Sequence, residues 1–384
     1  MTDFFDDIYE ELVAWRHDFH RHPELAFEEE RTSNLVAERL ESFGIEVTRG
    51  LAGTGVVGTL RHGTSARAVG LRADMDALPI HELNDLPYRS QSDGKMHACG
   101  HDGHTVMLLG AARFLAETRR FDGTVHLIFQ PAEENEGGGK VMIEDGLFER
   151  FPVDRVYGLH NFPGFSEGSF SMREGAIMAA FDKFEITVEG RGTHAALPHA
   201  GIDPIVVAAQ IVTGLQSVVS RRVDPISRAV LSVTQINAGN TWNVIPEVVT
   251  IRGCTRSFTP KVQTLLESTM KTMVEGTAEA YGARAELEYT RGYPPTVNTA
   301  DGIEIAGAVA SGLVGEERVD LDVKPTMGSE DFAFMLQECP GAYVLLGAGP
   351  GPMVHHPRYD FNDRILTLGA RYWARLAETE LAPA

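Results

Sequence analysis

Three cysteines, at positions 99, 254 and 339, are all that a chain of 384 residues contains. An odd number without framework spacing excludes a disulfide scaffold, so each thiol is expected to be reduced and Cys99 is available as a thiolate. Basic residues are also few: 34 Lys and Arg stand against 54 Asp and Glu, a formal net charge of −20. Such a charge repels nucleic acid and anionic membrane surfaces at long range, which leaves small molecules as the expected partners. No run of eighteen apolar residues occurs, and the opening "MTDFFDDIYEE" is acidic where a signal peptide would be basic and then apolar. Neither a spanning helix nor a signal peptide is therefore expected, and a cytoplasmic location follows. Internal repeats, low-complexity tracts and long charge runs are missing as well. What is present, 43% hydrophobic residues, suffices for a sizeable core, and a chain of this length is expected to form two domains rather than one.

Two textures divide the chain. In the first half, "RAVGLRAD" (67–74), "GTVHLIFQ" (123–130) and "DRVYGLH" (154–160) read as buried strands, while 102–119 and 138–150 read as helices. This alternation predicts an α/β domain with a mixed, largely parallel sheet covered by helices. From about Asp182 the pattern changes: Phe184, Ile186 and Val188 alternate as in a half-exposed strand. A helix from near Asp203-Pro204 follows, then the strands "AVLSVTQI" and "VVTIRGCTRSF". Thr259-Pro260 opens a second helix that runs to about Tyr281, and "ARAELEY" closes the series. Strand, helix, strand, strand, helix, strand is the ferredoxin-like α+β order. We expect an inserted domain at 182–292 between the two parts, 1–181 and 293–384, of the α/β domain. In the returning part "GAYVLLGAG" (341–349) is a buried strand, and a last helix starts near Asp363.

The polar residues of the α/β domain fall at carboxyl ends of strands. Asp74 and Asp76 follow the first, Glu133 and Glu134 the second, His160 ends the third, and His355 and His356 follow the last. Binding sites of open α/β sheets are built on that edge, so these residues and the cluster "MHACGHDGH" are expected to share one cleft. Thiolate, imidazole and carboxylate together are the ligand set of zinc or a neighbouring divalent metal. Taken singly, each has an ordinary structural reading: a satisfied strand-end histidine, a solvated Glu pair, a small buried cysteine. His104 is read as structural, and so is "HDFHRHPE", His17 to Glu24, which precedes no buried strand. Four strand ends carrying such residues together favour a metal site.

The motifs "GLRADMDALPI", "MHACGHDGH", "QPAEENEGGG", "GLHN", "GRGTHAALPHAGIDPI", "NVIP", "TMGSEDF" and "HHPRYDFND" occur in this order over nearly the whole chain. In this the sequence resembles the M20-type metallopeptidase and amidohydrolase family. Within it the likeness is to the branch of hippurate hydrolases, N-acyl-L-amino-acid amidohydrolases and auxin-conjugate hydrolases. The resemblance implies a catalytic domain holding two divalent ions and an inserted lid domain that dimerises, giving a homodimer or dimer of dimers.

Carried over residue by residue, the resemblance implies metal ligands at Cys99, His101, Glu134, His160 and His355. His355 is preferred to His356 because the family pattern is His, variable residue, Pro. Cys99 would bridge, with His101 and His160 on one ion and Glu134 and His355 on the other, a pairing that sequence leaves open. Glu133 resembles the general base, His194 an oxyanion donor from the neighbouring subunit, and Asp76 an acceptor that orients a ligating imidazole. Asp74 stands where many relatives have a histidine ligand, and Cys99 where they have a bridging carboxylate. Zinc, manganese, cobalt and nickel all remain open. The implied activity is hydrolysis of N-acyl amino acids carrying acetyl, benzoyl or similar groups. Arg256 and Asn243 are the candidates for holding the substrate carboxylate, and Arg252 is a competitor. Alternatives are a dipeptidase or N-acetyl-diaminopimelate deacetylase, a cysteine hydrolase using Cys99 with His101, and a metal-binding module without turnover.

Overall fold

The computed structural model of the chain describes residues 4–383. Two compact units are formed. One comprises the chain up to Ile177, Thr296–Lys324 and the chain from Asp331 onward; the other comprises Met178–Pro295 and Pro325–Glu330.

The first unit is built on an eight-stranded mixed sheet. Its order is Glu46–Leu51, Gly55–His62, Gly123–Gln130, Ala68–Asp74, Arg155–Pro163, Gly341–Gly349, Phe170–Ser171, Val319–Asp320. The central four run parallel, while Glu46–Leu51 pairs antiparallel with Gly55–His62, and Gly55–His62 with Gly123–Gln130. This is the mixed, largely parallel sheet expected from near-continuous apolar runs, and Gly341–Gly349 is buried at every position. The helix His101–Thr118 is buried along almost its whole length, with Val106, Met107 and Leu109 in one core with Leu12, Trp373 and Leu376. Its apolar surround explains why "HTVMLLGAA" shows no polar face.

The second unit is a four-stranded antiparallel sheet ordered Ala229–Ala238, Val248–Ser257, Ala180–Glu189, Arg284–Tyr293. Numbered along the chain this is 2-3-1-4, the ferredoxin-like arrangement predicted from element order. Helices Pro204–Ser217 and Pro260–Ala280 pack on it through Val207, Ile211, Leu215, Leu266, Met270 and Val274. Each begins as its sequence foretells: Asp203 accepts from Ile205 N at 2.9 Å and Thr259 from Val262 N at 3.3 Å, with Pro in the first turn. Pro204–Arg222, with mean hydropathy 1.2, is long and apolar enough to cross a bilayer by composition alone. A third of that stretch is buried, through the packing face just described, while Ile205 and Val206 are exposed. The short segment Pro325–Glu330 joins the unit through a Met178–Thr326 bridge and an Ala179 N to Gly328 O hydrogen bond of 2.8 Å.

The histidines of "HDFHRHPE" enter ion pairs in the first unit, and those of His20 are buried. His20 lies between Asp102 (Nδ1 to Oδ2, 2.8 Å) and Glu82 (Nε2 to Oε1, 3.3 Å). Arg16 binds Asp363 at 2.7 Å and stands 3.6 Å from Asp102, and His17 reaches Asp363 at 2.8 Å. Burial alone would push His20 down, but its hydrogen bonds to Asp102 and Glu82 outweigh this and hold it up at about 9. Charged His20 therefore stabilises the fold fully below its unfolded value of 6.5, and that contribution is lost as pH rises from 6.5 to about 9. Urea unfolding of the metal-free protein should show wild type losing on the order of 2–4 kcal/mol more than His20→Gln across this interval. Parallel pH profiles for the two proteins would refute the assignment.

Candidate metal centre

The four parallel strands deliver their carboxyl ends to one edge of the sheet, and each is followed by a loop that turns polar groups inward. After Ala68–Asp74 comes Asp76, buried, and after Gly123–Gln130 comes the loop that carries Glu133 and Glu134. Arg155–Pro163 supplies His160, and the segment after Gly341–Gly349 supplies His355. Cys99 and His101 flank Gly100, whose φ of +98° opens the helix His101–Thr118. A Cβ at Gly100 would overlap the Asn161 amide and the Tyr359 hydroxyl, and one at Gly103 would overlap the Phe361 ring. Both glycines of "CGHDGH" are thus required by close packing.

The candidate ligands form two groups that share one atom. Ligand atoms of Cys99, His101 and His160 lie within 4.8 Å of one another, and so do those of Cys99, Glu134 and His355. Cys99 Sγ is 3.3 Å from His160 Nε2. His101, Glu133 and Glu134 form a third such group. Atoms bound to one ion at about 2.0–2.3 Å must stand roughly 3–4.5 Å apart, which these spans permit.

The proton positions also suit a cation. His101 Nδ1 donates to the Asp76 carbonyl at 2.8 Å and lies 3.1 Å from Asp76 Oδ1. His160 Nδ1 donates to the Asn161 carbonyl at 2.6 Å. A carbonyl only accepts, so each Nδ1 carries a hydrogen and Nε2 is the nitrogen that offers a lone pair whenever the ring is neutral. His101 Nε2 and Glu134 Oε1 are buried with no hydrogen-bond partner among the described residues. His355 Nε2 stands 3.1 Å from that Glu134 oxygen, at an angle that makes no hydrogen bond. Burial pushes His101 down, yet the facing carboxylates of Asp74, Asp76 and Glu134 pull it up to about 10. His160 goes the other way, pushed well down by burial and by His104. Orphaned buried donors beside unbalanced carboxylates fit divalent ions.

The neighbours of this cluster are fixed by longer-range contacts. Asp76 Oδ2 accepts the Glu134 backbone N–H at 2.9 Å. His355 has a φ of +66°, and its N–H is held by the Ala98 carbonyl at 2.7 Å. Asp74 binds Arg72 at 2.7 Å and His104 at 2.6 Å. Burial would raise the Asp74 carboxyl, but His101, His104 and Arg72 hold it well below the usual range. Both ring nitrogens of His104 are engaged, by Asp74 and by Asn161 at 2.6 Å, which is a structural role. Sequence reasoning passed over Arg72, Gln130, Asn161 and Asp331. Arg72 is completely buried, bonded to Gln130 at 2.8 Å and Asp331 at 3.0 Å. Its one signal was a charge in the middle of the apolar strand "AVGLRAD".

The remaining candidates lie in the second unit. His194 is exposed on a two-residue strand, opposite Val244, and the Ala195 N–H binds the Asn243 carbonyl at 2.9 Å. His194 and Asn243 are thereby brought together within that unit. Arg256 lies over the Phe181 ring at 4.2 Å and donates to Ser329 Oγ at 3.0 Å. Arg252 is spent on Glu185 at 2.6 Å.

Comparison with known proteins places the chain among related sequences and structures. The chain is 43% identical to the hippurate hydrolase of Campylobacter jejuni, an alignment that covers 97% of each. It is 38% identical to the N-acetylcysteine deacetylase of Bacillus subtilis over 95% of this chain and 96% of that one. A crystal structure of the Bacillus subtilis YXEP protein, described as a dinuclear metal binding peptidase from the M20 family, superposes with a TM-score of 0.87. That match has 34% identity and covers 98% of this chain and 99% of the other. Residues 70–379 match the model of peptidase family M20/M25/M40, and with relatives this similar over nearly their whole length the chain belongs to that family of metal-binding hydrolases.

Proposed function

We propose that this chain is a metal-dependent amidohydrolase that cleaves the amide bond of N-acyl amino acids, releasing a carboxylic acid and a free amino acid. One observation carries the reading: two three-donor groups share Cys99, and the buried Glu133 stands beside them without belonging to either. This supports Cys99 as a bridge, His101 and His160 as ligands of one divalent ion, and Glu134 and His355 as ligands of a second. A thiolate bridge favours zinc, while the nitrogen and oxygen donors also suit manganese, cobalt or nickel. The hippurate hydrolase and N-acetylcysteine deacetylase relatives support the substrate class.

Bound ions supply Lewis-acid polarisation of the amide carbonyl and bring the pKa of water to about 7. Glu133 takes the proton from the attacking water and delivers it to the leaving nitrogen. Asp76 holds the Nδ1 proton of His101, which keeps Nε2 an electron-pair donor. In His194, Nδ1 accepts the Ala196 N–H at 3.1 Å, so the neutral ring carries its hydrogen on Nε2 and donates it to the developing oxyanion. The substrate's free carboxylate needs a cation and a donor. Arg256 pairs with no carboxylate among the described residues, unlike Arg252, and we assign it that task together with the Asn243 amide. The reading includes a homodimer or dimer of dimers in which His194 serves the neighbouring subunit, and a cytoplasmic location that keeps Cys99 reduced.

The sequence pairs a cysteine nucleophile with His101, whereas the histidine that Cys99 approaches, at 3.3 Å, is His160; this contact favours a second reading, a cysteine hydrolase using Cys99 with His160. Chelation separates the two, because a metal enzyme loses activity and regains it with added metal whereas a thiol enzyme does not. A dipeptidase or N-acetyl-diaminopimelate deacetylase would be revealed by a panel of N-acyl amino acids and dipeptides assayed with each metal.

Glu133→Gln should keep its metal content yet lose on the order of a hundredfold or more in kcat. Cys99→Ser should lose metal as well as activity, since an alcohol is a poor bridge at neutral pH. Near-normal turnover in metal-replete Glu133→Gln refutes the base assignment, and full metal occupancy in Cys99→Ser refutes the bridge.

Arg256→Ala should penalise a free-carboxylate substrate by about 2–4 kcal/mol more than the matching ester, read from kcat/KM. Equal losses on the two substrates would move suspicion to Arg252.

His194→Ala and Glu133→Gln should each be nearly inactive. After verified subunit exchange of equal amounts, about half of the dimers are mixed and one cleft of each is intact, so about a quarter of all clefts should regain activity. No recovery would mean that His194 does not act across the dimer.

A further inference from the structure

The segment "PELAFEE" (23–29), which lies between the helices Tyr9–Arg21 and Glu30–Ser42, has no part in the reading above. Two of its glutamates make specific contacts. Glu24 accepts the Arg31 and Thr32 N–H groups at 2.9 and 2.8 Å, which ties the segment to the first turn of Glu30–Ser42. Its carbonyl accepts the Ala77 N–H at 2.8 Å, one residue beyond Asp76. Glu29 is 0% exposed. One of its oxygens accepts the Ala132 N–H at 2.9 Å and the other the Thr54 hydroxyl at 2.7 Å.

A carboxylate buried this deeply is costly, and no Lys or Arg among the described residues pairs with Glu29 to offset the cost. Burial, with Asp76 adding to it, pushes the carboxyl up to about 7 although Thr54 and Ala132 hydrogen-bond it. An apolar residue of similar size would suit the core better, so the position of Glu29 calls for a reason. Ala132 supplies one. Its φ is +54° and that of Asn135 is +69°, left-handed conformations that side-chain-bearing residues keep only where the surroundings impose them. Within this loop Glu133 sits between two N–H groups that buried carboxylates hold: Ala132 N by Glu29 and Glu134 N by Asp76.

We propose that Glu29 is a positioning residue for the adjacent carboxylates Glu133 and Glu134: by accepting the Ala132 N–H it fixes the turn that aims one and sets the reach of the other. The proposal rests on the roles given to these two residues above.

The test compares Glu29→Leu, Glu29→Gln, Glu29→Asp and Glu133→Gln. Each is assayed for kcat and KM on an N-benzoyl amino acid, for metal affinity by competition with a chromogenic chelator, and for its thermal midpoint. Glu29→Leu, folded at the assay temperature, should lose roughly a hundredfold in kcat with KM changed far less, as a misplacement of about 1 Å does. Its weaker metal affinity should fall about 10–100-fold. Glu29→Gln keeps an acceptor oxygen for Ala132, with Thr54 free to turn its hydroxyl, and should recover kcat to within a few-fold. Glu29→Asp keeps the charge but loses the reach, so it should be impaired more than Glu29→Gln. This last pair decides the matter if Glu29→Leu does not fold. A folded Glu29→Leu with normal kcat and metal affinity overturns the proposal, as does a Gln variant impaired as much as the Leu or the Asp variant. An inactive Glu133→Gln beside a fully active Glu29→Leu overturns the positioning role alone. A fully active Glu133→Gln overturns the functional reading on which it rests.

Discussion

The Asp76 carboxylate joins two parts of the site that are far apart in the chain. It faces the Nδ1 of His101, 25 residues on, and accepts the backbone N–H of Glu134, 58 residues on. The first contact fixes which nitrogen of His101 carries the proton, and the second fixes where the loop after Gln130 begins its turn. No Lys or Arg among the described residues competes for this carboxylate: one oxygen faces the His101 ring, which it helps to raise, and the other is left to the Glu134 N–H. Loss of this one group would release the Glu134 N–H and leave the His101 ring on the Asp76 carbonyl alone.

Asp76 can act in this way because of the sheet. Parallel strands bring carboxyl ends to a common edge, and the chain that leaves each end must turn there. Ala68–Asp74 pairs with Gly123–Gln130 on one side and Arg155–Pro163 on the other, so Asp76, Glu134 and His160 descend from adjacent strands. The helix His101–Thr118 starts on the same edge and brings Cys99 and His101 with it. Its close packing through Gly100 and Gly103 removes slack from that start. The net charge of −20 has its local counterpart here: carboxylates outnumber cations around His101 and raise it to about 10.

Much of this was legible in the sequence because it is local. Apolar runs marked the parallel strands to within a residue or two at most ends, and the Asp203-Pro204 and Thr259-Pro260 pairs marked two helix starts. The chemistry-bearing motifs stood out because cysteine, histidine and paired glutamates are uncommon at strand ends. What stayed hidden depends on partners remote in sequence. Arg72 and Asp331 are 259 positions apart, Glu29 and Ala132 are 103 apart, and His104 and Asn161 are 57 apart. Nothing local announces such pairs. Glu29 in "FEEERT" looks like one more surface charge ahead of a helix, and only the fold shows it buried.

The two halves of the candidate centre are not equally ordered before any ion arrives. His101 is enclosed, and His101 and His160 each have Nδ1 tied to a backbone carbonyl, so ring orientation and proton position are set by the protein. His355 is exposed, and its hold on the site is a left-handed backbone anchored by one hydrogen bond to Ala98. Glu134, the other donor of that half, depends on a loop with left-handed turns at Ala132 and Asn135. The fold therefore spends its buried hydrogen bonds unevenly. The first pair of donors needs few external restraints, while the second relies on Asp76 and Glu29 gripping the backbone on either side of Glu133. Adjacent glutamates can point in different directions only if the backbone around them is held: Asp76 bonds the peptide between Glu133 and Glu134, and Glu29 bonds the peptide that enters Ala132.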